Sequence, residues 1–365
     1  GWTPHAFQEE AWAAWHAGES GLIHVPTGSG KTYAAYLGPL AHVAANPAPG
    51  LRLLYVTPLR ALTRDIELAL RAPVEALKLP ITVANRTGDT PASQRARQKK
   101  TPPNVLITTP ETLCLLLTEP DAAERFANLD GLIVDEWHEL MASKRGILLE
   151  LAIARLRAFR PGSRCWGLSA TIANLDDAAQ RMAGTGKPFR RVTAPIPRPI
   201  ALDCLLPDTL DELAWAPSGG TPLLGKLLES LDLSRTTLLF TNTRNQAERW
   251  YQAITEARPD WAPLCALHHG SLDRAERERV EVAVKVGEVK VVVCTSSLDL
   301  GVDFPTVDRV VQIGSAKGVA RLIQRAGRAG HRPGESSRVT CLPTQAMELL
   351  EIAATRRALA ERHVE

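Results

Sequence analysis

No cysteine in this sequence has a second cysteine three positions away. The six (Cys114, Cys165, Cys204, Cys265, Cys294 and Cys341) are scattered along the chain, which argues against the paired spacings of zinc and iron–sulfur sites. Most stand beside apolar residues, as in VVVCT, and read as small buried hydrophobes. Reduced thiols of this kind fit a cytoplasmic protein. Long apolar runs are also missing: none approaches a membrane span, and the N-terminus has no signal-peptide pattern. Nor does either charge dominate, with 43 Lys and Arg against 40 Asp and Glu and a net charge of +3. The chain starts at Gly1 rather than Met, as an excised piece would.

What is present points to a globular chain of two domains. Its 365 residues exceed one ordinary core, and the apolar fraction of 45% and charged fraction of 23% are typical of such proteins. Charge is uneven locally. Residues 52–100 carry ten Lys and Arg against four acids, and residues 315–340 carry six against one. Either region alone reads as solvated helix surface. Two of them, far apart in sequence, suit a polyanion held between two domains.

Short apolar runs alternate with helical patterns throughout. GLIHV (21–25), RLLYVT (52–57), NVLITT (104–109), GLIVD (131–135) and CWGLSA (165–170) occupy the first half. TLLFT (237–241), PLCALH (263–268), VKVVVCT (289–295), RVVQIG (309–314) and RVTCLP (338–343) occupy the second. Nearly continuous apolar strands between helices predict parallel sheets covered on both faces, an α/β chain. TAPIPRPIALDC (193–204), with three prolines within residues 195–199, reads as the linker. The expected division is therefore 1–194, 195–344 and a closing amphipathic helix over 345–365.

Ligands of open parallel sheets collect at the carboxyl ends of the strands, and the chemistry-bearing motifs fall there. HVPTGSGKTYAAY follows the first strand. Gly28 and Gly30 let the backbone turn its N–H groups onto phosphate oxygens, Lys31 adds a point charge, and Thr32 can hold Mg²⁺ through its hydroxyl. The strict phosphate-loop pattern wants glycine where this chain has Val25. Pro39 predicts a kink or early stop in the following helix. Asp135 and Glu136 end another buried strand, where Asp135 would hold Mg²⁺ and Glu136 would polarise the water attacking a γ-phosphate. RLIQRAGRAGHR (321–332) spaces Arg321, Arg325, Arg328 and Arg332 by 4, 3 and 4, as one helix face would, although Gly327 and Gly330 argue against a long helix. These arginines could stabilise charge developing on phosphate. No guanine-reading N-K-x-D and no nuclease constellation is found.

In this order the motifs resemble those of superfamily 2 helicases across almost the whole chain: HAFQEEAW, PTGSGKT, VTPLRAL, RTGD, TTPETL, DEWH, SAT, LLFTNTRNQAE, CTSSLDLGVDFP and QRAGRAGH. DEWH, with GWTPHAFQEEAWAAW and SGLIHVPTGSGKT, resembles the large helicase-related family, and most of all its bacterial branch encoded beside a DNA ligase. The resemblance implies two tandem RecA-like domains and an ATP- and Mg²⁺-dependent translocase. It implies 3′-to-5′ tracking on single-stranded DNA, with duplexes or RNA:DNA hybrids unwound in DNA repair, and DNA ligase and nuclease partners near the bacterial nucleoid.

The same resemblance assigns roles to positions. Gln8 would read adenine, and Thr27, Gly28, Ser29, Gly30, Lys31, Thr32, Gly301 and Asp303 would hold the nucleotide. Thr57, Pro58, Arg60, Thr87, Gly88, Thr109 and Pro110 would grip the nucleic-acid backbone from the first domain, and Asn242, Arg244, Thr295 and Ser296 from the second. Arg325 and Arg328 are the expected arginine fingers. His331 stands where many relatives carry a third arginine. His138 is either a relay to Ser169–Thr171 or a structural histidine. Trp137 and Trp166 are expected in the core, and His268 and His269 fit either turn or nucleic-acid roles. In the family the closing helix leads into a winged-helix domain, so efficient unwinding is expected to need more than residues 1–365. An RNA helicase or RNP-remodelling ATPase carries the same motifs, and a binding clamp without turnover would be expected to lack some of them.

Overall fold

The computed structural model describes residues 3–26, 28–58, 62–141, 143–170, 172, 174–194, 200–209, 213, 223–299, 304, 306–329 and 337–361. The chain divides into two compact units, Gly1–Ile196 and Pro197–Glu365. The proline run at 195–199 lies outside the described residues.

The first unit is built on seven strands: β1 (Gly21–His24), β2 (Leu53–Val56), β3 (Val83–Arg86), β4 (Val105–Thr108), β5 (Gly131–Val134), β6 (Arg164–Ser169) and β7 (Arg190–Thr193). They lie side by side in the order β3-β4-β2-β5-β6-β1-β7, and every pairing is parallel. β2, β4 and β5 are buried along their whole length, because helices cover both faces and leave alternate residues no polar side to face. Ile23, Tyr55, Ile107 and Ile133 belong to the core on one face, and Leu22, Leu54, Leu106 and Leu132 to the core on the other.

The second unit repeats this with six parallel strands: β8 (Ile200–Cys204), β9 (Thr237–Phe240), β10 (Cys265–His268), β11 (Val291–Cys294), β12 (Arg309–Ile313) and β13 (Ser337–Leu342). Their order is β10-β11-β9-β12-β13-β8. Helix Met347–Ala360 packs on β8 and on helix Val319–Ala326.

Three strands have no counterpart among the sequence's apolar runs: β3, β7 and β8. All three are sheet edges. An edge strand has one paired neighbour and less cover, so VANR, RRVT and IALDC need not be uniformly apolar. A second difference concerns Pro39. Helix Lys31–Ala45 continues past it to Ala45 instead of stopping early. Pro39 and its neighbours Gly38 and Leu40 are buried, so tertiary packing outweighs the one backbone hydrogen bond the ring removes. No described helix is long and apolar enough to cross a membrane.

Candidate functional site

The register makes the strand ends of the first unit nearly flush. Val56 pairs with Thr108 and Val134, and Arg86 with Thr108. Residues that follow these strands therefore share one rim. Strand order divides it: β3, β4 and β2 carry Thr87, Thr109 and Thr57, while β5, β6 and β1 carry Asp135, Ser169 and the glycine-rich loop. β6 lies between β1 and β5, so Ser169 and Ala170 sit between the phosphate loop and DEWH.

On the β1 side, Gly28 and Gly30 have φ of 72° and 87°, in the left-handed region that glycine enters without cost. Gly30 is required twice over, because a Cβ there would lie 2.8 Å from the Gln8 Nε2. Ser29 Oγ donates to Pro26 O at 2.6 Å, tightening the loop. Helix Lys31–Ala45 then begins with Lys31 and Thr32 in its first turn. The Lys31 ammonium is buried with no hydrogen-bond partner. A buried ammonium with unbonded donors is costly unless an acceptor completes it, and a helix N-terminus selects phosphate. Gln8 donates Nε2 to Gly30 O at 3.1 Å and accepts from His5 N at 2.9 Å. It is 1% exposed, so it braces the loop from helix Ala6–His16.

Beyond β5, Asp135 accepts from its own neighbour's N–H, Glu136 N, at 3.0 Å and from the Tyr55 hydroxyl at 3.0 Å. Burial, and next the Glu136 carboxylate, push Asp135 up to about 7, while Lys31 pulls it down. Two carboxylates this close in a buried site call for a cation, and the hard oxygen donors of Asp135 and Thr32 fit Mg²⁺. Glu136 has φ of 45°, a left-handed conformation that is strained for a side-chain-bearing residue and typical of functional turns. His138 Nδ1 lies 3.2 Å from Ser169 Oγ and 3.6 Å from the Glu136 carboxylate. Burial above all holds its pKa below the ordinary value. His24 is pushed down to about 4 by burial, then by Lys31 and His138, so it is neutral at pH 7. Trp137 and Trp166 are core residues, their indoles bonded to Ala178 O and Glu19 O.

On the other half of the rim, the Thr57 hydroxyl is buried without a hydrogen-bond partner, and Thr57 N donates to Thr108 O. Thr109 caps helix Pro110–Thr118, whose first residue is Pro110. Thr87 accepts from Asp89 N across Gly88, and Thr87 N donates to Thr90 Oγ1. Arg145 ties two of these segments together, donating to Pro58 O at 2.6 Å and to the Glu111 carboxylate. Thr27, Arg60 and Thr171 lie outside the described residues.

The second unit has a matching rim. His268 pairs with Cys294, and Cys294 with Phe240, so β10, β11 and β9 also end flush. Asn242, Arg244, Thr295 and Ser296 follow these ends. Asn242 Nδ2 donates to Ser315 O, Arg244 reaches Ser271 and Glu248, and Thr295 Oγ1 reaches Ser297 Oγ. His268 is buried between Ser297 Oγ at 2.7 Å and the Glu281 carboxylate at 3.3 Å, a turn-stabilising position. His269 is buried beside it, its Nε2 3.4 Å from the Glu248 carboxylate.

Both arginines expected as fingers are buried. Arg325, 1% exposed, donates to both Asp299 oxygens at 2.7 and 3.1 Å and to Gln312 Oε1, and its guanidinium lies over the Phe240 ring. Its charge is already answered inside the unit. Arg328 is buried one turn on, just past helix Val319–Ala326. Gly301, Asp303, Gly330, His331 and Arg332 lie outside the described residues. Sequence reading passed over Tyr55, Arg145 and Asp299. Tyr55 stood within an apolar run, and the partners of all three are distant in sequence.

A glycine cradle beneath a buried lysine, with paired acids further along the same parallel edge, defines a P-loop nucleotide-binding fold, and two such sheets in tandem are RecA-like. The DEAD/DEAH box helicase family model matches residues 5–178, and the helicase conserved C-terminal domain model matches residues 222–333. ATP-dependent helicase Lhr-Core protein 2 of Thermococcus barophilus is 37% identical over 92% of this chain and 41% of its own length. The Lhr helicase/probable uracil glycosylase of Mycolicibacterium smegmatis is 34% identical over 97% of this chain and 26% of its own. The solved structure of Mycobacterium smegmatis helicase Lhr bound to ssDNA and AMP-PNP superposes with a TM-score of 0.86 at 35% identity, covering all of this chain and 49% of that one. The chain belongs to the large helicase-related family of superfamily 2 helicases. It spans about two fifths or less of the length of these two curated relatives.

Proposed function

We propose that this chain couples ATP hydrolysis to movement along single-stranded DNA. The observation that carries the reading is the buried Lys31 ammonium without a hydrogen-bond partner, on the same strand edge as the Asp135–Glu136 pair. Gly28, Ser29, Gly30 and Lys31 bind the phosphates, and Gln8 braces the loop and reads the base. Thr32 and Asp135 would hold Mg²⁺, which supplies charge neutralisation to the phosphates when bound. Glu136 accepts a proton from the attacking water, and His138 carries the state of that carboxylate to Ser169.

Thr57, Thr87, Thr109, Asn242, Thr295 and Ser296 offer hydroxyls and amides at strand ends. Such groups suit backbone phosphates and carry little sequence preference. Of the two arginines expected to stabilise developing charge, Arg328 is the proposed finger. Arg325 is proposed as a structural cation, because Asp299 already neutralises it. The mycobacterial relative was solved with ssDNA and AMP-PNP, which supports DNA as the polymer. Movement from 3′ to 5′, a role in DNA repair at the bacterial nucleoid, and DNA ligase and nuclease partners complete the proposal.

ATP turnover measured with Mg²⁺ and no polymer, single-stranded DNA or single-stranded RNA tests it. DNA should stimulate turnover most, and Lys31→Ala should abolish it under all three conditions. Stimulation by RNA alone would favour an RNA-remodelling ATPase, and turnover indifferent to either polymer would overturn the translocase reading.

A further inference from the structure

Tyr55 is buried on β2, in the half of the rim that carries Thr57, yet its hydroxyl lies 3.0 Å from an Asp135 oxygen beyond β5. The register explains the reach. Tyr55 pairs with Ile133 on the adjacent strand, and Asp135, two residues further on, continues along the Ile133 face. Helix Lys31–Ala45 covers that face, its Ala34 and Ala35 sharing a core with Tyr55 and Ile133. Thr32 lies in the first turn of that helix. The phenol thus touches one of the two side chains read above as cation ligands. Phenylalanine would fill the same space; the hydroxyl is the addition, and a buried hydroxyl is costly unless bonded.

A carboxylate in the ionised form that ligates a cation only accepts, so the single Tyr55 hydrogen lies toward Asp135.

We infer that Tyr55 is a positioning residue for the divalent-cation site, holding the Asp135 carboxylate in place. This rests on the reading of Thr32 and Asp135 as cation ligands.

The test is binding of a fluorescent ATP analogue titrated with Mg²⁺, and separately in EDTA, for the parent and Tyr55→Phe, with a melting curve for each. Partners of metal ligands typically alter metal affinity about 10–100-fold. Tyr55→Phe should therefore raise half-saturating Mg²⁺ roughly tenfold or more, while affinity in EDTA stays unchanged. A merely structural role would move both arms together, and that result, or an unchanged Mg²⁺ half-saturation, overturns the inference. If the parent itself shows no Mg²⁺ dependence, the reading of Thr32 and Asp135 fails, and the inference with it. Should Tyr55→Phe not fold, Tyr55→Met, which keeps most of the buried volume, is read by the same two arms.

Discussion

The two sheets are built alike and are finished differently. In each, three adjacent parallel strands end flush, β3-β4-β2 in one unit and β10-β11-β9 in the other. Each of these rims carries hydroxyls: Thr57, Thr87 and Thr109 in the first, Thr295 and Ser296 in the second. The charges beyond the strands diverge. In the first unit they are a buried Lys31 ammonium with no hydrogen-bond partner and an Asp135 carboxyl pushed up to about 7. In the second, Asp299, beyond β11, and Arg325, on helix Val319–Ala326, are closed on each other, with Gln312 as a further partner of Arg325. A buried ammonium with unbonded donors suits an anionic ligand, whereas a buried ion pair is already satisfied.

Substitutions can break this contrast. The largest effect is expected for Glu136→Gln. Removing a general base typically costs about 100- to 10,000-fold, so ATP turnover should fall by that order while nucleotide binding, measured by fluorescence, persists. Turnover at the parental rate would show that Glu136 is not the base. Next comes Asp299→Ala, which strands Arg325 without a counter-charge. Breaking a buried pair from one side costs roughly 3–5 kcal/mol, so the second unit should unfold at clearly lower temperature or denaturant, read by a melting curve. An unchanged melting curve would mean the pair is not structural.

Arg328→Ala sharpens the contrast between the two arginines. If Arg328 acts on the transition state, kcat falls while KM for ATP holds, and Arg325→Ala lowers stability instead. Loss of ATP affinity in Arg328→Ala at constant kcat would make it an ordinary phosphate ligand. The smallest effect is expected at Arg145, which is partly exposed and joins Pro58 to Glu111. Arg145→Ala should weaken single-stranded DNA binding several-fold at low salt, on the order of one charge-assisted hydrogen bond of about 1.5–3 kcal/mol at most, and leave polymer-free ATP turnover alone. A titration of a labelled oligonucleotide checks it.

The interior strands were legible because complete burial imposes an unbroken apolar run that no other element of this length shows. β3, β7 and β8 were not, because an edge strand is free to keep Asn85, Arg191 or Asp203. The early stop expected as one outcome at Pro39 is absent for a related reason. The proline's propensity is local, whereas the packing of Gly38, Pro39 and Leu40 that carries the helix past it is not. Within the site, Gly28, Lys31, Asp135 and Glu136 could be found from their neighbours alone, since a phosphate loop and a strand-end acid pair are each made within a few residues.

The sequence by itself determined two parallel α/β sheets and which residue types stand at their strand ends, because apolar runs and turn chemistry are properties of short segments. Only the tertiary structure decided which strand ends are neighbours. Strand order sets grip and nucleotide residues on separate halves of one rim. The pairing of β2 with β5 brings the Tyr55 hydroxyl to Asp135 across 80 positions of chain. Folding likewise brings Asp299 to Arg325. Such contacts rest on the packing of whole elements, and no local pattern encodes them.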